Sequence, residues 1–364
     1  MPDITIDSRA LANFCQAILC KAGVPGAIAA LTAESLVAAN LRGVDSHGVQ
    51  LLPYYVKQIL GGDLNPAATG RVLSENGCCL LYDGENGIGQ GVADICRQHA
   101  ARLAKAHGIG MVVARESNHF GACAYWARRI SAEGQIGIVF CNASPMVPPW
   151  QAKEPRMGTN PICMSVPGTG EPAWLLDMAT TTVAANKIYK AGVNGQPTIP
   201  SGWAMDSDGV PTTDTQKALH GLVASLGGYK GSGLAMMVEI LCAVLSGGAM
   251  STELGGIRIR GQAMRVSQTF LAIDVQRFMP LEDFDARMRT LVRMIKSAAP
   301  ASGYDEVLIA GEPEDRSEAE RARSGIPIPE GSWRTLLDAA ARLGVEARVE
   351  LISSSSATPP SNTT

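Results

Sequence analysis

The chain has 364 residues, 46% of them hydrophobic and 18% charged, and its 31 basic against 34 acidic side chains leave a formal net charge of −3. That balance excludes a disordered chain, which needs low hydrophobicity and high net charge, and it offers no basic surplus for nucleic acid. The nine cysteines form no CxxC pair and the N-terminus has no apolar leader, which points to a reduced, cytoplasmic protein with buried thiols.

In chain order, residues 7–22 read as an amphipathic helix, with Leu11, Phe14, Cys15, Ile18 and Leu19 at helical spacing and Asp7 or Ser8 as its cap. A second helix over 27–41 is interrupted or ended by GVDSHGV (43–49), and a third over 51–62 stops at Gly61 and Gly62. From residue 71 the rhythm becomes strand, turn, strand, then helix (91–108), strand (109–117), helix (121–134) and strand (136–144). Alternating strands and helices argue for a layered α/β domain. Further strands are expected at 162–166, 173–178 and 269–278, and helices at 228–246, 284–298 and 331–345. The helix over 284–298 places Met288, Leu291, Val292 and Ile295 on one face, and the polar stretch 353–364 reads as a disordered tail. The longest apolar run, 233–250, carries Glu239 and several glycines, so a core helix is expected there and not a membrane span.

Familiar motifs are missing. GENGIGQG (84–91) follows a strand but breaks the GxGxxG pattern, there is no Walker loop and no GxSxG, and the five histidines show no metal-ligand spacing. Four polar islands remain. Asp45-Ser46-His47-Gly48 offers an imidazole suited to proton transfer beside a hydroxyl that could orient it, or a capping residue beside a surface histidine. Ser117-Asn118-His119-Phe120-Gly121 falls between a strand and a helix, where α/β sheets place ligand loops, or is a plain turn. Gly158-Thr159-Asn160-Pro161, with Asp177-Met178-Ala179-Thr180-Thr181, suits a strand end facing a cofactor, or a helix cap. Gly227-Gly228-Tyr229-Lys230-Gly231-Ser232-Gly233 opens a helix with glycines around a lysine, as an anion cradle or a flexible loop.

Taken together in this order, LRGVDSHGV (41–49), SNHFGA (117–122), GTNPI (158–162), LDMATT (176–181), LGGYKGSGLAMMVEIL (226–241), GEPE (311–314) and GIPIP (325–329) resemble the malate/L-lactate dehydrogenase family of the non-Rossmann type, over about residues 5–345. The resemblance implies an α/β chain with that family's own nicotinamide-binding fold and a helical N-terminal/C-terminal domain, which accounts for the missing GxGxxG. It divides the chain into a helical segment (1–70) packing with the C-terminal region, a nicotinamide-binding α/β domain (71–260), a C-terminal α/β region (261–350) and a tail (351–364). It implies an NAD(P)-dependent oxidoreductase, with NAD slightly favoured, that interconverts a 2-hydroxy acid and a 2-oxo acid, or reduces a cyclic ketimine. A sensor that binds cofactor without turnover is the non-enzymatic alternative. A homodimer acting on a small molecule, with no nucleic-acid, membrane or metal partner, is expected.

By the same resemblance, His47 is the proton donor and acceptor and Ser46 its hydroxyl partner, while His119 belongs to the cofactor loop or is itself the base. Phe120, Gly121 and Ala122 continue that loop. Thr159 and Asn160 fall to the substrate, and Asp177, Met178, Ala179, Lys230, Gly311 and Glu312 to the cofactor. Two departures stand out. Relatives carry a substrate-pairing arginine four or five residues after the SHG histidine, where this chain reads Gln50-Leu51-Leu52. A bidentate arginine–carboxylate contact is strong and directional, so another cation or a different substrate group is implied. Lys187 stands where ketimine reductases carry an acid, which favours the hydroxy-acid branch.

Overall fold

The computed structural model of the chain describes residues 3–168 and 174–347. A short strand, β1 (Ile4–Ile6), leads into three helices, α1 (Ser8–Lys21), α2 (Gly26–Leu41) and α3 (Leu52–Gly61). Asp7 caps α1 as its position suggests, accepting the Ala10 N–H at 2.9 Å. Next come β2 (Arg71–Asn76), β3 (Cys79–Asp83), α4 (Gly89–His107), β4 (Ile109–Ser117), α5 (Cys123–Ser131), β5 (Gln135–Cys141), β6 (Ile162–Ser165) and β7 (Leu175–Met178). A small unit follows, made of α6 (Ala185–Val193), β8 (Ala204–Met205), β9 (Pro211–Thr212), α7 (Thr215–Leu219) and β10 (Leu222–Val223). The last third holds α8 (Tyr229–Glu239), β11 (Val266–Asp274), α9 (Leu281–Lys296), α10 (Glu312–Ser324), β12 (Ile326–Ile328) and α11 (Glu330–Arg342).

Two cores organise these elements. In the first, Leu11, Phe14, Ile18, Leu36 and Leu52 of the N-terminal helices bury against Trp333 and Leu336 of α11. The two ends of the described chain meet there, because β1 and β12 pair antiparallel with Ile4 opposite Ile328. The second core underlies a seven-stranded sheet of order β2-β3-β4-β11-β5-β6-β7. Its β3–β4 pair is parallel and the other five pairs are antiparallel. Helices α4 and α5 cover it, and Trp126 of α5 and Phe270 of β11 are fully buried between them.

The structure departs from the sequence reading at several places. The helix expected over 228–246 is an α-helix only to Glu239 and continues as a π-helix over Ile240–Val244. The helix expected from residue 91 begins two residues earlier, since Gly89 and Gly91 lie inside α4. The strand that opens residues 261–350 lies at the centre of the main sheet, hydrogen-bonded to β4 and β5. The small unit of α6–α7 and β8–β10 was not anticipated, because its strands have two residues each and show no period. Helix α9 forms as expected but buries none of its residues; Leu291, Met294 and Ile295 stay exposed. The tail expected over 353–364 lies outside the described residues. Among the described residues no helix is long and apolar enough to cross a membrane.

Candidate active site

The first polar island folds as a 3₁₀ turn, Asp45–His47, between α2 and α3. Asn40, near the end of α2, holds both sides of it: its amide donates to Asp45 Oδ1 at 2.6 Å and its Oδ1 accepts the Val49 N–H at 2.9 Å. Arg321 of α10 closes the turn from outside, donating to Asp45 Oδ1 at 2.7 Å and Oδ2 at 3.2 Å. The turn thereby presents Ser46 and His47 in a fixed pose, with Ser46 Oγ 3.0 Å from His47 Nδ1.

His119 stacks behind His47, with ring centroids 5.6 Å apart and planes 22° from parallel. Its Nδ1 accepts the Gly121 N–H at 3.2 Å and lies 2.7 Å from the Tyr55 hydroxyl, which in turn accepts from Gln90 Nε2 at 3.2 Å. A ring nitrogen that accepts a backbone N–H carries no proton, so the His119 proton sits on Nε2. Burial holds His47 below the ordinary imidazole value, and burial together with the charge of His47 pushes His119 down to about 3. Both rings are therefore neutral at neutral pH.

A cavity of about 420 Å³ opens between α2, α5, β7 and residues 309–314. Ser46, His47, Thr159 and Asp177 line it together, with Gly121, Ala122, Ala179 and Gly311. Residues from five separate stretches of sequence thus share one wall. Asp177 lies one residue before the end of β7, and its Oδ2 accepts the Ala124 N–H at 2.8 Å, in the first turn of α5. Desolvation at the cavity pushes its carboxyl up to about 6, although the side chain remains exposed and the Ala124 bond and Arg42 work the other way.

A carboxyl raised in this way stabilises the fold below its unfolded value and gives up that stability as the pH climbs through the folded one. Asp177→Asn is therefore expected to raise the Tm of the ligand-free protein at about pH 8, by less than about 2 °C because water at the open cavity screens the exposed carboxylate. The gain should vanish below about pH 3, where the carboxyl is neutral folded or unfolded. Thermal melts at both pH values check this; equal shifts at the two would show that ionisation of Asp177 has no part in the effect.

Other expected residues lie elsewhere. His119 stands behind the wall and not in it. Phe120 is buried against Trp126, centroids 6.2 Å apart, and serves the core. Asn160 is fully buried behind Thr159, and Met178 does not line the cavity. Glu312 is the first residue of α10, not part of a loop, and its carboxylate is held by Lys296 at 2.5 Å and Arg316 at 2.6 Å. Lys230 is exposed on the first turn of α8, beside a second cavity of about 590 Å³ that Gly227, Gly228, Trp150 and Lys153 help to line. The two cavities are neighbours along one stretch of chain: Asp177, Ala179 and Ala184 line the first, and Thr182 lines the second. Gly228 has φ +66, and a Cβ there would meet Trp150 at 2.8 Å, so its backbone lies directly against that ring.

Sequence reasoning missed the cations. Arg42, inside the LRGVDSHGV stretch, is buried at the cavity and paired with Asp315 at 2.6 Å and Glu318 at 2.8 Å. Arg128 of α5 also lines the cavity and meets Glu318 at 3.1 Å. Leu51, where an arginine was expected, is packed in the N-terminal core. Lys187 is exposed on α6. No cluster of metal-ligating side chains occurs among the described residues.

Comparison with known proteins agrees over nearly the whole length. A family model described as malate/L-lactate dehydrogenase matches residues 6–337. The chain is 38% identical to a malate dehydrogenase of Pyrococcus horikoshii over 351 residues, covering 94% of this chain and 96% of that one. It is 33% identical to an NAD(+) ureidoglycolate dehydrogenase of Escherichia coli, over 88% of this chain and 91% of that one. Among solved structures, the sulfolactate dehydrogenase of Methanocaldococcus jannaschii superposes with a TM-score of 0.89 at 34% identity, covering 94% of this chain and 98% of that one.

Proposed function

The chain belongs to the malate/L-lactate dehydrogenase family and is an oxidoreductase acting on CH–OH groups, and from that premise we propose that it interconverts a 2-hydroxy acid and a 2-oxo acid with His47 as proton donor and acceptor. The observation that carries this reading is the placement of the two histidines. His47 lines the cavity beside Thr159 and Asp177, whereas His119 lies behind it with Nδ1 already committed.

The residues present fit a nicotinamide dinucleotide. One cavity meets the N-terminal turn of α5, the next meets the glycines before α8, and a single stretch of chain borders both, as an elongated two-part ligand requires. Asp177 and Ala179 would hold it in the first cavity, and Lys230 with the backbone at Gly227 and Gly228 in the second. When bound, the nicotinamide supplies or accepts the hydride at C2 of the substrate. The naming of a similar dehydrogenase for NAD(+) favours NAD here.

In the oxidative direction, neutral His47 takes the hydroxyl proton as the carbonyl forms, and Ser46 holds its other ring nitrogen. In reduction the same imidazole returns the proton to the oxygen that gains negative charge. The fixed 3₁₀ turn keeps the ring in place between these states, so no reorganisation is needed during reaction. For the substrate carboxylate, Arg128 replaces the missing arginine: Arg42 is already shared by two carboxylates, while Arg128 pairs with Glu318 alone among the described residues. The exposed apolar side of α9 supports a homodimer, and the free thiols support a cytoplasmic setting.

The test is initial-rate oxidation of NADH and NADPH against pyruvate, oxaloacetate, bulkier 2-oxo acids, sulfopyruvate and piperideine-2-carboxylate. Turnover of an oxo acid is expected. Turnover of the cyclic imine alone would move the chain to the ketimine branch, and binding without any turnover would make it a sensor.

A further inference from the structure

Glu239 ends α8 with its carboxylate in the interior and, among the described residues, no ion-pair partner. Burying an anion without a counter-ion is costly, and Glu239 gains nothing from a helix terminus, since the helix runs on as a π-helix over Ile240–Val244. Helix stability therefore does not explain this residue. Its hydrogen bonds do. Oε1 accepts the Asn160 amide at 3.1 Å and Oε2 accepts the Asn142 amide at 3.3 Å.

Neither asparagine can turn its amide around. Asn160 Oδ1 accepts the Ala143 N–H at 3.0 Å, and Asn142 Oδ1 accepts the Ser267 N–H at 2.8 Å. Both are thereby forced to aim N–H donors at the same point. Of the polar side chains of this size, only a carboxylate offers two acceptors and no donor there. Asn160 also holds φ +34, a backbone conformation that needs outside support. The residue before it is Thr159, which lines the cavity and whose carbonyl is bonded by the Thr180 N–H at 2.9 Å.

We propose that Glu239 is a positioning residue: through Asn160 it sets Thr159 against the substrate, and it ties the helix that opens beside the second cavity to the loop that lines the first. The π-turn that starts at the next residue, Ile240, fits this role, since such turns recur where a helix is shaped for function. The link to substrate rests on the reading of Thr159 given above.

The experiment compares wild type, Glu239→Gln, Thr159→Val and the double variant, as full-length protein. Glutamine fills the same space but turns an N–H toward one of the two asparagine amides. Hydrogen exchange by NMR should then show the Ala143 and Thr180 amides, which report on Asn160 and Thr159, exchanging about tenfold faster in Glu239→Gln than the global unfolding rate accounts for. Unchanged protection at both amides overturns the proposal, whatever the activity. In oxaloacetate-dependent NADH oxidation, Glu239→Gln should raise KM about tenfold with kcat within about twofold, and the double variant should be no worse than Thr159→Val. Multiplying losses in the double variant, or a lower Tm with unchanged KM, would overturn the route through Thr159. If Thr159→Val leaves KM unchanged while the two amides lose protection, the substrate role of Thr159 fails and the positioning by Glu239 stands.

Discussion

Replacing His47 by alanine is expected to lower kcat by about a hundred- to ten-thousand-fold, the range that a positioned acid–base group contributes. NADH affinity should change little, because Asp177 and the N-terminal turn of α5 hold their places without the imidazole. His119→Ala should lose less turnover and more stability. It leaves the Tyr55 hydroxyl and the Gly121 N–H without their shared acceptor, in a region where Gln90 and Tyr55 are themselves buried. Steady-state kinetics of the two variants, with NADH titrations, separate these outcomes. Near-normal turnover in His47→Ala with loss in His119→Ala would move the proton transfer to the second histidine.

Phe270→Ala is expected to cost about 3–5 kcal/mol, the usual range for truncating a fully buried aromatic ring. Phe270 lies in the central strand β11 and is fully buried. Its ring meets Phe120 edge-on, with centroids 6.3 Å apart at 90°, and Phe120 stacks on Trp126. Phe120 separates His119 from Gly121, so the void would open directly beneath the loop at the site. Guanidinium unfolding should therefore show a lower midpoint, and KM for the nicotinamide cofactor should rise even though no lining residue has changed. A loss below about 1 kcal/mol would mean that the neighbouring rings collapse into the space.

What the sequence disclosed follows the range of each interaction. The cap at Asp7 and the break after Leu41 depend on residues within a few positions of each other, and both were legible. Ser46, His47, Thr159 and Asp177 could be named from the order of the motifs, but their meeting in one cavity could not be derived from spacing. Arg321 lies 276 residues from the Asp45 it holds, and Glu239 lies 79 from Asn160. Such partners leave no periodic trace. Tyr55 lies in the helix expected over 51–62, where nothing local sets it apart, because only its hydroxyl is used at the site. Leu51 stands where the resemblance implied a substrate-pairing arginine and is packed in the core, and nothing local pointed to Arg42 or Arg128 as cations at the cavity. The π-turn after Glu239 was invisible because its residues are as apolar as those of the helix it extends.

The middle position of β11 also bears on how the molecule comes to exist. Strands β4 and β5 are made by residue 141 and can pair outward with β3 and β6, but their facing edges must wait for residues 266–274. On the ribosome, the two halves of the sheet would stand open for the time taken to add more than a hundred residues, each with an unpaired edge rich in valine and isoleucine. Final closure slots one strand between two that are already formed, a long-range step of the kind that slows folding and exposes chains to association. A chain cut short before residue 266 would keep every residue that lines the cavity up to Ala184 and still leave those two edges open, so truncation products should aggregate and not accumulate as a smaller folded enzyme.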